Sequence, residues 1–273
     1  MVCHEGHLRK MQVALAGPVE YQLPLDDQLV PLNDFLGQVI RITHTGVIHC
    51  AHCGRRSNKS FNQGHCYPCF TKLAQCDICI VSPEKCHYEQ GTCREPEWGE
   101  QHCMVDHIVY LANSSGVKVG ITRESQLPTR WIDQGAIQGL PILRVKTRLQ
   151  SGLAEDLLRQ HVADKTNWRT MLKGAITPVD LPTTRDALFD LCDKGMTQLE
   201  EQFGLQAFQR LDAAPVDIEY PVLEYPVKVA SHNMDKNPLV EGTLMGIKGQ
   251  YLILDNGVIN IRKYTAYHVE VAL

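Results

Sequence analysis

The pattern of apolar and polar positions changes character several times along the chain, and each change marks a different kind of segment. Up to about Cys50 the signal is β. Residues 39–43 (VIRIT) have strand composition, and Thr45-Gly46 before Val47-Ile48 predicts a turn and a short return strand. Residues 50–106 follow with little apolar periodicity and many Gly, Pro, Asn and Ser. A stretch of this kind cannot bury enough side chain to order itself. From His107 the pattern sharpens. Residues 108–111 (IVYL) and 117–121 (VKVGI) flank the turn Asn113-Ser114-Ser115-Gly116 and predict a β-hairpin. Pro128 opens a short helix over 129–132, and residues 142–145 supply a third strand. Leu153, Leu157, Leu158 and Val162 lie on one face of a second helix, for which Ser151 is the expected cap. The order is β-β-α-β-α.

A longer helix is predicted over 184–203, its apolar side carrying Leu188, Leu191, Cys192, Leu199 and Phe203, with Gly204 as its stop. Cys192 reads as a small buried hydrophobe. The C-terminal stretch returns to β: residues 251–254 and 258–261 flank Asp255-Asn256-Gly257, a hairpin signature. Residues 227–230 and 268–271 are further strand candidates. The expected class is α+β: a zinc-ribbon-like segment between β-rich termini and a central β-β-α-β-α module. The boundaries fall at 1–49 (β), 50–106 (cysteine-rich), 107–174 (α+β module), 175–214 (helical) and 215–273 (β).

Composition narrows the class. No apolar run approaches the roughly 20 residues of a membrane span, and residues 1–18 lack the apolar core of a secretory signal. A reducing, cytoplasmic setting is therefore expected. That setting decides how the cysteines read, since nine of the eleven fall between Cys50 and Cys103. Such density indicates metal sooner than disulfides. The net charge is −4, yet residues 123–173 hold nine Lys/Arg against five Asp/Glu. A basic module inside an acidic chain can bind phosphates, and a solvated helical surface gives the same count.

Cys50-x2-Cys53 and Cys66-x2-Cys69 form two knuckles twelve residues apart. Each CxxC turn presents two sulfurs to one ion, and tetrahedral thiolate coordination is what zinc prefers. A closed four-thiolate site has no open position for a substrate, so its role is structural. The second cluster is less regular. Cys76, Cys79, Cys86 and Cys93 are the first choice for a second zinc, with Cys103 or one of His87, His102 and His107 as alternative ligands.

The polar positions of the central module resemble those of the GIY-YIG endonuclease superfamily. Ile108-Val109-Tyr110 stands at its first motif and Lys118-Val119-Gly120, followed by Thr122, at its second. The family's helical arginine and metal-binding glutamate would fall on Arg130 and Glu155. The resemblance implies a hydrolytic phosphodiesterase in which Tyr110 helps activate water, Arg130 steadies phosphate charge and Glu155 holds Mg or Mn. Two positions depart from the pattern: Ile108 replaces a glycine and Lys118 replaces a tyrosine.

Across nearly its whole length the chain also resembles an uncharacterised bacterial family, the domain of unknown function 2797. The stretches that carry this are residues 76–79 (CDIC), 91–94 (GTCR), 118–123 (KVGITR), 129–135 (TRWIDQG) and 164–169 (DKTNWR). That likeness brings no activity, but it adds Arg123, Asp133, Gln134, Lys165, Asn167 and Arg169 as polar groups for one cleft. Of these, Arg123, Lys165, Asn167 and Arg169 are the expected nucleic-acid contacts. Trp131 and Trp168 read as core before they read as base-stacking platforms. Three functions compete: a zinc-stabilised nuclease acting on DNA or RNA, a non-catalytic nucleic-acid-binding protein, and a protein-interaction scaffold.

Overall fold

The computed structural model describes residues 2–162 and 166–273, and Lys165 lies outside them. Among the described residues the architecture is mixed α/β with three sheets. In the N-terminal part, β1 (Cys3–His7) is followed by a small meander of β2 (Gln12–Ala14), β3 (Glu20–Leu25) and β4 (Gln28–Pro31), and then by β5 (Val39–Ile48). The cysteine-rich segment holds α1 (Tyr67–Lys72), a series of single 3-10 turns and α2 (Pro96–His102). The central part runs β6 (His107–Asn113), β7 (Val117–Arg123), α3 (Thr129–Asp133), β8 (Gln138–Val145), α4 (Arg148–Leu158), α5 (Trp168–Leu172) and α6 (Leu181–Phe203). Short strands β9 (Gln209–Arg210) and β10 (Val216–Asp217) precede the C-terminal β11 (Leu239–Lys248), β12 (Tyr251–Leu254), β13 (Gly257–Asn260) and β14 (Tyr267–Ala272).

The two ends of the chain make one sheet, in the order β1-β14-β5-β11-β12-β13. β5 lies between β14 and β11, and its ten residues form one strand where a turn and a return strand were expected. Gly46 does take positive φ (+82°), but the chain kinks there without reversing. β11 pairs with residues 39–43 before the kink, and β14 pairs on both sides of it, with residues 41–44 and again at Ile48; this pairing outweighs the local turn preference. The β12–β13 hairpin forms as expected around Asp255-Asn256, whereas residues 227–230 form no strand and Val227 is exposed.

The central sheet has the order β10-β8-β6-β7, with β9 also paired to β8. All seven residues of β6 are buried, because the strand has protein on both faces. Val109 and Leu111 face a core shared with α4 and α6, through Leu158, Leu188, Phe189 and Cys192. Ile108, Tyr110 and Ala112 face the opposite way, into the core of the terminal sheet. Period-two alternation thus survives as a choice between two interiors.

Helix boundaries shift for local reasons. α4 starts at Arg148, three residues before the expected cap, because Thr147 and Gln150 form a reciprocal capping box. Ser151 sits inside the helix, donating back to the Arg148 carbonyl. α6 begins at Leu181 with Asp180 as its N-cap, and Pro182 fills the first turn without loss of a needed donor.

Candidate functional site

The first cysteine quartet forms at the end of β5. Both knuckles are held by backbone bonds: Cys50 N–H donates to the Arg55 carbonyl, Gly54 N–H to Cys50 and Ala51 N–H to Gly64. Cys66 is the N-cap of α1. The donor atoms of Cys50, Cys53, Cys66 and Cys69 all lie within 4.8 Å of one another, so the four could hold a metal ion such as zinc. Their electrostatics favour one. Burial opposes ionisation of Cys50, but the N–H groups of Cys53, Cys66 and His52 outweigh it and lower its pKa to about 6. Burial and the three neighbouring sulfurs push Cys69 far the other way. Four thiolates at this spacing repel, and a divalent cation removes the conflict.

The second cluster is split. Cys76 lies on the side of the first quartet, within electrostatic reach of Cys50, and does not line the cavity that holds its neighbours. Cys79, Cys86 and Cys93 line a separate small cavity together with Cys103.

The larger feature is a cleft of about 700 Å³ where the central sheet, the cysteine-rich segment and the terminal sheet meet. Tyr110, Lys118, Arg130 and Glu155 all line it, as does Arg123. Antiparallel register explains part of this: Tyr110 pairs with Gly120 and Ala112 with Lys118, so these side chains share a face of the β6–β7 ribbon. The Tyr110 ring crosses directly over Gly120, where an added Cβ would stand 2.6 Å from the phenol oxygen and 2.7 Å from Cζ. No other residue leaves the ring this path.

Tyr110 is fully buried up to its hydroxyl, which donates to Gln134 Oε1 at 3.2 Å. Burial raises its pKa, and Arg130, close enough to hydrogen-bond the phenol oxygen, only partly offsets this. The phenol is therefore neutral at ordinary pH. Lys118 is 5% exposed and Glu155 half-buried, and both have partners within the protein. Asp133, on α3, pairs with Lys10 at 2.5 Å and accepts from Gln250 at 2.9 Å. It ties the cleft floor to both chain ends.

Three cleft cations were not among the sequence candidates. Arg148 is the first residue of α4, and its guanidinium donates to the carbonyls of Ile80 (2.6 Å) and Cys79 (3.4 Å). Arg262 reaches in from the far terminus and bonds Gln63 Oε1 at 2.6 Å. Burial and nearby Arg130 lower its pKa, though an arginine stays charged at neutral pH. Among the described residues, these and Lys10 bring the cleft to six Lys/Arg side chains against the two carboxylates Asp133 and Glu155. Arg148 could have been suspected from the capping box beside it. Arg262 and Lys10 carry no local signal.

Two other expected nucleic-acid contacts lie outside the cleft. The Asn167 side chain caps α5, accepting from the N–H groups of Arg169 and Thr170. The Arg169 guanidinium stacks on Trp168 at 4.3 Å, and Trp168 in turn stacks on Tyr251 with an interplanar angle of 3°. Trp131, by contrast, is buried against Gly139.

The profile of a family described as a protein of unknown function, DUF2797, matches residues 37–269. The chain belongs to that family. The matched region includes both cysteine clusters and every cleft residue named above except Lys10. No curated protein and no solved structure matches the chain. Among the described residues no helix is long and apolar enough to cross a membrane.

Proposed function

We propose that this DUF2797 protein is a zinc-stabilised, divalent-metal-dependent phosphodiesterase that cleaves DNA or RNA in the cleft beside Tyr110. The observation that carries this reading is the shared cleft itself. Tyr110, Lys118, Arg130 and Glu155 come from two strands and two helices, yet all line one basic groove. The β-β-α-β-α order and these four positions also support the resemblance to GIY-YIG endonucleases. Zinc on Cys50, Cys53, Cys66 and Cys69 would be structural, since four thiolates leave no open coordination position.

The residues divide the work as follows. Arg123, Arg148 and Arg262 give the groove the positive potential that draws in a polyanion. Lys118 and Arg130 offer charge-assisted hydrogen bonds to the phosphate, and these strengthen as charge builds on its oxygens in the transition state. The Tyr110 hydroxyl, held by Gln134 with Arg130 nearby, orients the attacking water; as a neutral phenol it acts through hydrogen bonding. The Glu155 carboxylate suits a hard cation such as Mg or Mn, which keeps most of its other ligands as water or phosphate oxygen. Such an ion, when bound, supplies Lewis-acid polarisation of the phosphoryl group.

Incubation of the purified protein with labelled single- and double-stranded DNA and RNA tests this. Cleavage is expected with Mg or Mn, and loss of cleavage in folded Tyr110→Phe and Glu155→Gln. Absence of cleavage on every substrate with either ion would overturn it. A second reading is favoured by Lys118, an ammonium where the resemblance expects a water-activating tyrosine: the groove binds nucleic acid without cutting it. That reading predicts strongly salt-dependent binding and no turnover.

A further inference from the structure

We propose that Cys79, Cys86, Cys93 and Cys103 hold a second zinc-type ion, one that braces a wall of the cleft. These four cysteines line a single small cavity of about 10 Å³ whose other walls include Tyr88 and Trp98. That volume is at the scale of one water, and a zinc ion is smaller. Apolar walls and four cysteines around one small cavity suit a soft, closed site.

Competing donors at the cavity are already engaged. Asp77 bonds Arg94 Nε at 2.8 Å and its neighbour Ile78 N–H at 2.6 Å. His87 has Thr92 Oγ1 at 2.8 Å from Nδ1 and the Asp77 carboxylate at 3.5 Å from Nε2. Although Asp77, Cys79 and His87 place donor atoms within 4.8 Å of one another, two of the three have other work. Cys76, the nearest cysteine in sequence, does not line the cavity. Cys103 takes the fourth place because it ends α2 and its carbonyl accepts from Arg148 N–H at 2.7 Å. Zinc–sulfur bonds of about 2.3 Å at tetrahedral angles set sulfur–sulfur separations near about 3.8 Å, so ligation draws the ring of thiols together.

A zinc ion with four thiolates carries a charge of about −2, and the counter-charge is at hand. The half-buried Arg148 guanidinium lies beside Cys79 and Cys103 and bonds the carbonyls of Cys79 and Ile80. The same loop continues through Val81 and Pro83, which line the cleft, and packs on α4 so closely that Gly152 has Pro83 and Glu84 backbone within 3 Å of where a Cβ would stand. α4 carries Glu155. An ion here would fix the loop against the helix that bears the carboxylate, whether or not the cleft is catalytic.

Metal content of the full chain, purified with zinc and measured by elemental analysis and native mass spectrometry, tests this. Two ions are expected in the wild type, one in Cys103→Ser and Cys93→Ser, and two in Cys76→Ser. One ion in the wild type, or loss of an ion from Cys76→Ser with both retained in Cys103→Ser, would overturn it. If the serine variants do not fold, anomalous scattering at the zinc edge from wild-type crystals decides: a peak among the four sulfurs upholds the site, and no peak there refutes it.

Discussion

Gly120→Ala is the substitution whose effect follows most directly from the geometry. The new methyl would stand 2.6 Å from Tyr110 Oη, 2.7 Å from Cζ and 3.0 Å from Cε2. These are ring atoms of a fully buried residue, held by Gln134 and crossed edge-on by Trp131. The ring cannot swing to solvent, so the strands part or the ring shifts. Overpacking of this kind costs about 1–3 kcal/mol, which in a chain of this size lowers the melting temperature by roughly 2–10 °C. Urea unfolding of Gly120→Ala, Tyr110→Leu and the double variant gives the coupling. Leucine lacks the atoms that clash, so the double variant should be at least ~1 kcal/mol more stable than the sum of the single effects. Tyr110→Phe is the control: it removes Oη but leaves Cζ at 2.7 Å, and should relieve little. A neutral Gly120→Ala, or an additive cycle with Tyr110→Leu, would refute the claim that Gly120 exists to let the tyrosine ring pass.

Three further outcomes are expected. Burial lowers Lys248 to about 8, with its ammonium over the rings of Tyr220 and Tyr225. The unfolded chain then binds more protons between about pH 8 and 10.4, so this residue's contribution to stability rises with pH through that window and its penalty, about 3 kcal/mol, is complete below it. Partly offset by lost cation–π contacts, Lys248→Met should stabilise the protein at pH 7 relative to wild type, with the difference shrinking toward pH 10; chemical denaturation across pH checks both. At the Lys10–Asp133 pair, Asp133 is 4% exposed and Lys10 34%. Lys10→Met leaves a buried carboxylate with Gln250 as its main support and should cost more than Asp133→Asn, which frees a lysine to reach water. Chelation of zinc, or Cys50→Ser, should expose residues 50–69 to proteolysis before the central sheet, and Mg should not restore protection; simultaneous cleavage of both regions would contradict this.

What the sequence showed was what local chemistry decides. Two CxxC knuckles place four sulfurs without help from the rest of the chain. The turns Asn113-Ser114-Ser115-Gly116 and Asp255-Asn256-Gly257 fold their own hairpins. Long-range pairing carries no such signal. Cys3 pairs with Ala272 and Arg41 with Glu241, and no periodicity in either strand identifies its partner. Gly46 read as a turn because its neighbours across the sheet were invisible. Arg262 and Lys10 join the cleft for the same reason, carried there by the terminal sheet. Spacing favours Cys76 as the partner of Cys79 in a CxxC pair, and the approach of Cys103, at the end of α2, to the cavity lined by Cys79, Cys86 and Cys93 has no local signal.

The most direct test of the central claim is single-turnover cleavage of a labelled nucleic acid by wild type and Glu155→Gln, with binding of the same substrate measured in parallel. Glutamine keeps the size of the side chain and removes the charge that would hold Mg or Mn. The account predicts that Glu155→Gln binds within a few-fold of wild type but cleaves at least ~100-fold more slowly. Equal cleavage by the two proteins would contradict it.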